Sequence, residues 1–211
     1  MAEYQLHCFG ESGNSYRVAL MLELTGSDWE PVFVDYFNGE TRGPGYREMS
    51  VMGEAPVLTR GDLHLTQSGV ILDYLADETA RFGGATPEEK REIWRWILFD
   101  NHKLSSFTAL RRFLLTLTKA GDSPVTEFLA QRMDGAWSVL DAHLKDRAFV
   151  VAERPTIADL SLCGYLFYGD ELVWPLERYP AISAWLERIR ALPGWKPPYE
   201  LMPRALPVAA R

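Results

Sequence analysis

Cysteine is scarce in this 211-residue chain. Cys8 and Cys163 are the only two, too few for a disulfide framework and in keeping with a reducing compartment. Basic residues are outnumbered, 22 Lys and Arg against 29 Asp and Glu, for a formal charge of −7. Without a basic excess to displace phosphate counterions, nucleic acid is not expected as the main partner. No apolar run approaches the roughly 18 residues that a membrane span needs. The opening MAEYQLHCFG has neither the basic start nor the apolar stretch of a secretory signal, so a cytoplasmic location is expected. His7, His64, His102 and His143 show no metal-ligand spacing with Cys, Asp or Glu, and no metal site is expected. What is present is a globular composition, 47% hydrophobic and 24% charged, which sets disorder aside. The length suits one domain or two small ones.

Two halves differ in pattern. Residues 1–78 contain no lysine and set thirteen acids against Arg17, Arg42, Arg47 and Arg60. Their order reads β-α-β, a Gly- and Pro-bearing stretch over 38–53, then β-β-α. The strands are Tyr4 to Phe9, Glu30 to Tyr36, and the hairpin arms around Arg60-Gly61-Asp62. The helices are Ser15 to Leu24, stopped by Gly26, and Ser68 to Asp77. The second half shows helices only. Thr86-Pro87-Glu88-Glu89 opens one that can run to about Lys119, with Thr as N-cap, Pro at the first helical position and acids in the first turn. Helices over about 124–144, 157–167 and 181–192 follow, then a proline-rich, irregular tail from Pro193. No internal repeat is visible. The expected organisation is an α/β domain over 1–78, a linker over 79–87 and an all-α domain over 88–211.

The sharpest local feature is Ser12-Gly13-Asn14-Ser15, between the first strand and the first helix. A hydroxyl there meets unpaired N–H groups and the positive end of a helix dipole, a setting that favours anions and would ease the ionisation of a bound thiol. Ser12 or Ser15 can equally serve as a plain helix cap, and Asn14 as a turn residue. Thr156-Ile157-Ala158-Asp159 reads as a capping box, a structural device rather than a catalytic pair. Cys8 in a strand and Cys163 in an apolar run read as core.

Four segments together resemble the cytosolic glutathione transferase family, in its bacterial-type branch. Ser12-x-x-Ser15 with an Arg-Val helix stands where a thioredoxin has Cys-x-x-Cys. Gly53-Glu54-Ala55-Pro56-Val57-Leu58 is similar to the family's Gly-x-Val/Ile-Pro-x-Leu segment. Leu65 to Leu75 is similar to its acid-Ser-x-x-Ile-x-x-Tyr-Leu helix, and Thr156 to Asp159 to its capping box. These landmarks fall in family order over most of the chain.

The resemblance implies a thioredoxin-like N-terminal domain followed by an all-helical C-terminal one. It implies conjugation of the glutathione thiolate to small hydrophobic electrophiles, a detoxification chemistry, in a homodimer, with glutathione as cosubstrate and no other cofactor. Ser12 would stabilise the thiolate, with Asn14 as a second donor. Pro56 would follow a cis peptide bond, leaving the Ala55 backbone to pair with the cysteinyl residue like an added strand. Gln67 and Ser68 would hold the γ-glutamyl end. Gln67 stands where the family usually has an acid. Glu54 stands where it often has a basic or polar residue, and would repel a nearby carboxylate. Backbone N–H groups, Arg17, Arg42 or Arg47, or basic residues of the second half would have to compensate for the acidic balance. A second-substrate pocket would lie in an interdomain cleft, with Phe99, Lys103 and Tyr165 as candidate residues. Two other readings use the same fold: a non-catalytic ligand-binding or scaffold protein, and a glutathione-dependent isomerase or lyase.

Overall fold

The computed structural model describes residues 2–207. The chain divides into two units, one made of residues 2–81 with 193–207 and one of Phe82–Leu192. The proline-rich tail, assigned from sequence to the helical half, therefore belongs with the first unit. The reason is hydrogen bonding rather than apolar periodicity, as described below for the tail's contacts.

In the first unit β1 (Tyr4–Cys8) leads into α1 (Gly13–Thr25) and β2 (Trp29–Phe33). A 3-10 turn (Glu40–Arg42) and the short α2 (Pro44–Met49) occupy the Gly- and Pro-bearing stretch. The hairpin β3 (Val57–Arg60) and β4 (Leu63–Thr66) precedes α3 (Ser68–Thr79). The sheet order is β2-β1-β3-β4, with β1 parallel to β2 and antiparallel to β3. Gly26 ends α1 in the left-handed conformation, its N–H returned to Leu22 and Glu23, as its position in the sequence predicts. α1 is buried on nearly every face because it packs on β1, on α3 and on α9 (Pro198–Leu201) of the tail.

The second unit is helical. A single helical run from Pro87 to Leu117 comprises α4 (Pro87–Phe99), a π segment (Asp100–Leu104), α5 (Ser105–Arg112) and a second π segment (Phe113–Leu117). The first π segment forms around a buried carboxylate. Asp100 accepts from Ser105 Oγ at 2.6 Å and from Ser161 Oγ at 2.6 Å. A buried carboxylate needs such donors to offset its lost hydration. α6 (Pro124–Leu144), α7 (Ile157–Cys163) and α8 (Pro180–Arg190) complete the unit. α7 ends earlier than the 157–167 expected, and a 3-10 stretch, Leu166–Leu172, follows it, kinked at Gly169.

Asp159 is the polar hub of this unit. Fully buried, it accepts the N–H groups of Val150 at 2.9 Å and Thr156 at 2.8 Å and the Trp185 indole N–H at 2.9 Å. Burial pushes its carboxyl up from the usual carboxylate range, and those donors oppose the push. The capping box is thus a structural device here, with one carboxylate serving three separate segments.

Candidate active site

The strand register gathers three of the sequence motifs at one end of the sheet. His7 of β1 lies opposite Val57 of β3, and Val57 lies opposite Thr66 of β4. The chain leaves β1 toward Ser12, enters β3 from Ala55-Pro56, and leaves β4 into Gln67-Ser68. All three connections therefore emerge at that same end.

Ser12 caps α1. Its Oγ accepts the Ser15 N–H at 3.1 Å, and the residue is 6% exposed. Capping uses the oxygen as an acceptor and leaves the hydroxyl proton available as a donor. Gly13 and Asn14 occupy the first turn, and their N–H groups make no hydrogen bond among the described residues. Asn14 is half-buried. The arrangement is one hydroxyl donor and two amide donors at the positive end of a 13-residue helix. Cys8 is no alternative nucleophile, since it is buried and desolvation pushes its thiol up to about 12.

The Ala55–Pro56 peptide bond is cis. Pro56 is buried, and Ala55 lies just outside the β3 ladder with its N–H and C=O bonded to nothing among the described residues. An open backbone donor and acceptor at a strand end are what an added peptide strand would pair with. The approach is held from behind. Tyr46 Oη and Ser50 Oγ each donate to the Glu54 carbonyl at 3.2 Å, and the Glu54 N–H donates to Ser50 Oγ at 3.3 Å. Burial raises the Tyr46 phenol, which keeps it a donor. Gly53 has φ +65°, and a Cβ there would stand 2.8 Å from the Thr41 carbonyl oxygen. Gly53→Ala is expected to cost about 1–3 kcal/mol, read as a lower denaturation midpoint.

Gln67 sits at the N-cap of α3 with φ 66°, an uncommon value for a side-chain-bearing residue. Its amide donates to Glu54 Oε2 at 2.8 Å and approaches Met52 Sδ at 3.0 Å. An amide rather than an acid at position 67 therefore suits an acid at position 54. Ser68 is buried, and its Oγ accepts from Arg17 Nη1 at 3.4 Å. Arg17 itself is 0% exposed, a guanidinium enclosed between α1 and α3. Of the three arginines that charge balance suggests, Arg17 is the one brought to the motif. Arg42 lies in the 3-10 turn, and Arg47 donates to the Val51 carbonyl at 3.3 Å.

In the helical unit Phe99 and Lys103 line one groove of about 270 Å³ with Phe107, Gln131, Arg132 and Val139. Tyr165 does not line it. That residue is buried, with its ring 6.2 Å from that of Tyr168, over which the Arg112 guanidinium stacks at 3.8 Å. Among the described residues no group of three or more His, Cys, Asp or Glu is arranged to hold a metal ion, and no helix is long and apolar enough to cross a membrane.

One residue beside the site has no counterpart in the sequence reading. Glu11, immediately before Ser12, is buried, and its carboxylate accepts the N–H groups of Ala205 at 2.9 Å and Leu206 at 3.2 Å. An acid next to an anion site is a signal in the sequence. Its partner, almost two hundred residues away, is not.

Comparison with known proteins agrees with the geometry. The family model for the glutathione S-transferase N-terminal domain matches residues 4–77, and that for the C-terminal domain matches residues 103–193. Glutathione S-transferase F10 of Arabidopsis thaliana is 27% identical over 199 residues, which is 87% of this chain and 90% of that protein. A crystal structure of a glutathione S-transferase from Pseudomonas fluorescens superposes with a TM-score of 0.88 at 30% identity, covering 93% of this chain and 99% of that one. Elongation factor 1-gamma of Danio rerio is 23% identical over 194 residues, 88% of this chain and 43% of that protein.

Proposed function

The chain belongs to the glutathione S-transferase family and is a glutathione transferase, and on that footing we propose how it works and on what. Glutathione binds at the sheet end shared by Ser12, Ala55-Pro56 and Gln67-Ser68. Its thiolate attacks a small hydrophobic electrophile. The thiol gives its proton to solvent, sulfur forms the new bond, and the leaving group departs with its electron pair. No covalent intermediate with the protein is involved, so rate comes from ionisation and positioning.

Ser12 carries the reading. Its oxygen is engaged by Ser15 N–H, which orients the hydroxyl and leaves its proton to donate to sulfur. A free thiol ionises near about pH 8.5, and one charge-assisted hydrogen bond plus the helix terminus can lower that by about 1–2 units. Asn14 is the second donor. Ala55 pairs with the cysteinyl backbone. Ser68 and the first turn of α3 take the γ-glutamyl carboxylate, with Arg17 behind Ser68 as the counter-charge. Gln67 contacts the same end of the tripeptide, and Glu54, tied to the Gln67 amide, faces its ammonium group rather than a carboxylate. Phe99 and Lys103, which line the groove of the helical unit, are the proposed electrophile contacts, and buried Tyr165 is not among them. The active form is a cytoplasmic homodimer.

Ser68→Ala is expected to raise the glutathione Kd about 5- to 10-fold, the worth of roughly 1–1.4 kcal/mol, with kcat unchanged. Calorimetry and steady-state kinetics check it. The whole assignment is tested by ultraviolet titration of thiolate absorbance in the glutathione complex. Ionisation no easier than in free glutathione overturns it.

The likeness to elongation factor 1-gamma favours one alternative, a non-catalytic scaffold on the same fold. Glutathione binding that is absent or only millimolar in calorimetry selects that alternative.

A further inference from the structure

The described part of the tail follows α1 and reaches the turn that carries Ser12. At the far end Lys196 forms an ion pair with Glu23, and Tyr16 Oη donates to the Lys196 carbonyl at 2.9 Å. α9 then packs on α1. At the near end the Gly10 N–H donates to the Pro203 carbonyl at 2.6 Å. A Cβ on Gly10 would stand 3.0 Å from Tyr199 Cδ1 and 3.1 Å from that carbonyl oxygen, so the strap rests directly on the turn's backbone. Glu11 finishes the contact, one carboxylate oxygen for Ala205 N–H and the other for Leu206 N–H. Both residues before Ser12 are thus committed to the strap, while Ser12 itself is bonded to its own helix.

We propose that Glu11 is a positioning residue. By gripping two successive amides of the C-terminal strap it fixes the turn that carries Ser12. Glu11 touches neither thiol nor electrophile. Its carboxylate is turned to the strap, where each oxygen accepts one backbone N–H. The proposal rests on the role given to Ser12, and it reaches beyond that role to what holds it.

The test uses the full chain with Glu11→Gln, Glu11→Ala and Ala205→Pro, the last deleting one donor while leaving Glu11 intact. Glu200→Gln, at an exposed tail position, is the control. Amide exchange at Leu206 is expected to speed up about 10- to 100-fold in Glu11→Ala and in Ala205→Pro, and not in the control. With glutathione, kcat for a small aryl halide falls while the glutathione KM stays within about twofold, a split that general destabilisation would not give. Unchanged exchange, or faster exchange with kcat unmoved, overturns the proposal. Should Glu11→Ala fail to fold, Ala205→Pro decides alone. Because exchange needs no glutathione, failure of the strap and failure of the glutathione reading give different results.

Discussion

Ser12→Ala raises the ionisation pH of bound glutathione by about 1 unit, the hydroxyl's share with the helix terminus left in place, which at about pH 6.5 removes some 80–90% of the thiolate. The rate falls by less. A thiolate of higher pKa is intrinsically more nucleophilic, with a Brønsted coefficient of about 0.4–0.5, which returns roughly 3-fold. The net loss in kcat is therefore about 3-fold near pH 6.5. Above about pH 9 both proteins hold the thiolate, and the variant equals or slightly exceeds the wild type. That crossing separates an electrostatic role from a structural one, since a displaced helix would slow the reaction at every pH. Full pH–rate profiles at saturating glutathione decide it. A uniform loss across the profile removes Ser12 from its role.

Asp159→Ala has the largest expected effect on stability. The substitution strips four donors of their acceptor: the N–H groups of Val150 and Thr156, the Thr156 hydroxyl and the indole of Trp185. Each unsatisfied buried donor costs about 1–3 kcal/mol, and with partial relaxation the sum is about 3–5 kcal/mol. For a chain of this size that lowers Tm by about 10–15 °C. Thr156→Ala leaves the other three donors bonded to Asp159 and is expected to cost only about 1 kcal/mol. Calorimetric unfolding of both variants checks the ranking. Equal losses would make the site an ordinary cap instead of a hub.

The parts of the fold that were readable are those encoded within a few residues. Gly26 ends α1, Thr86-Pro87 opens α4, and Gly61 turns the hairpin, each through its own backbone preference. The β-α-β and β-β-α order followed from the same local signals. The parts that escaped depend on residues far apart in the chain. The π segment at Asp100 gathers around a carboxylate shared with Ser161, a partner no periodicity announces. The end of α7 at Cys163 was hidden because the apolar run continues to Phe167. Charge arithmetic by halves separated the tail from the first unit, whereas Lys196 pairs with Glu23 there. At the site, Ser12, Ala55-Pro56 and Ser68 were legible as motifs. The tie between Glu54 and the Gln67 amide, thirteen residues apart, was not legible. Glu11 was invisible because its meaning lies entirely in the tail.

The order in which this protein is made has a consequence for its first unit. A ribosome releases β1, α1 and the hairpin before the helical unit, yet the carbonyl that accepts from the Gly10 amide and the amides that donate to the Glu11 carboxylate belong to residues 203–206, polymerised after that unit. During translation the nascent chain must therefore hold a buried-to-be carboxylate without its donors while the entire helical unit is added. Of the two units, the earlier in the chain closes only after the later one has been made.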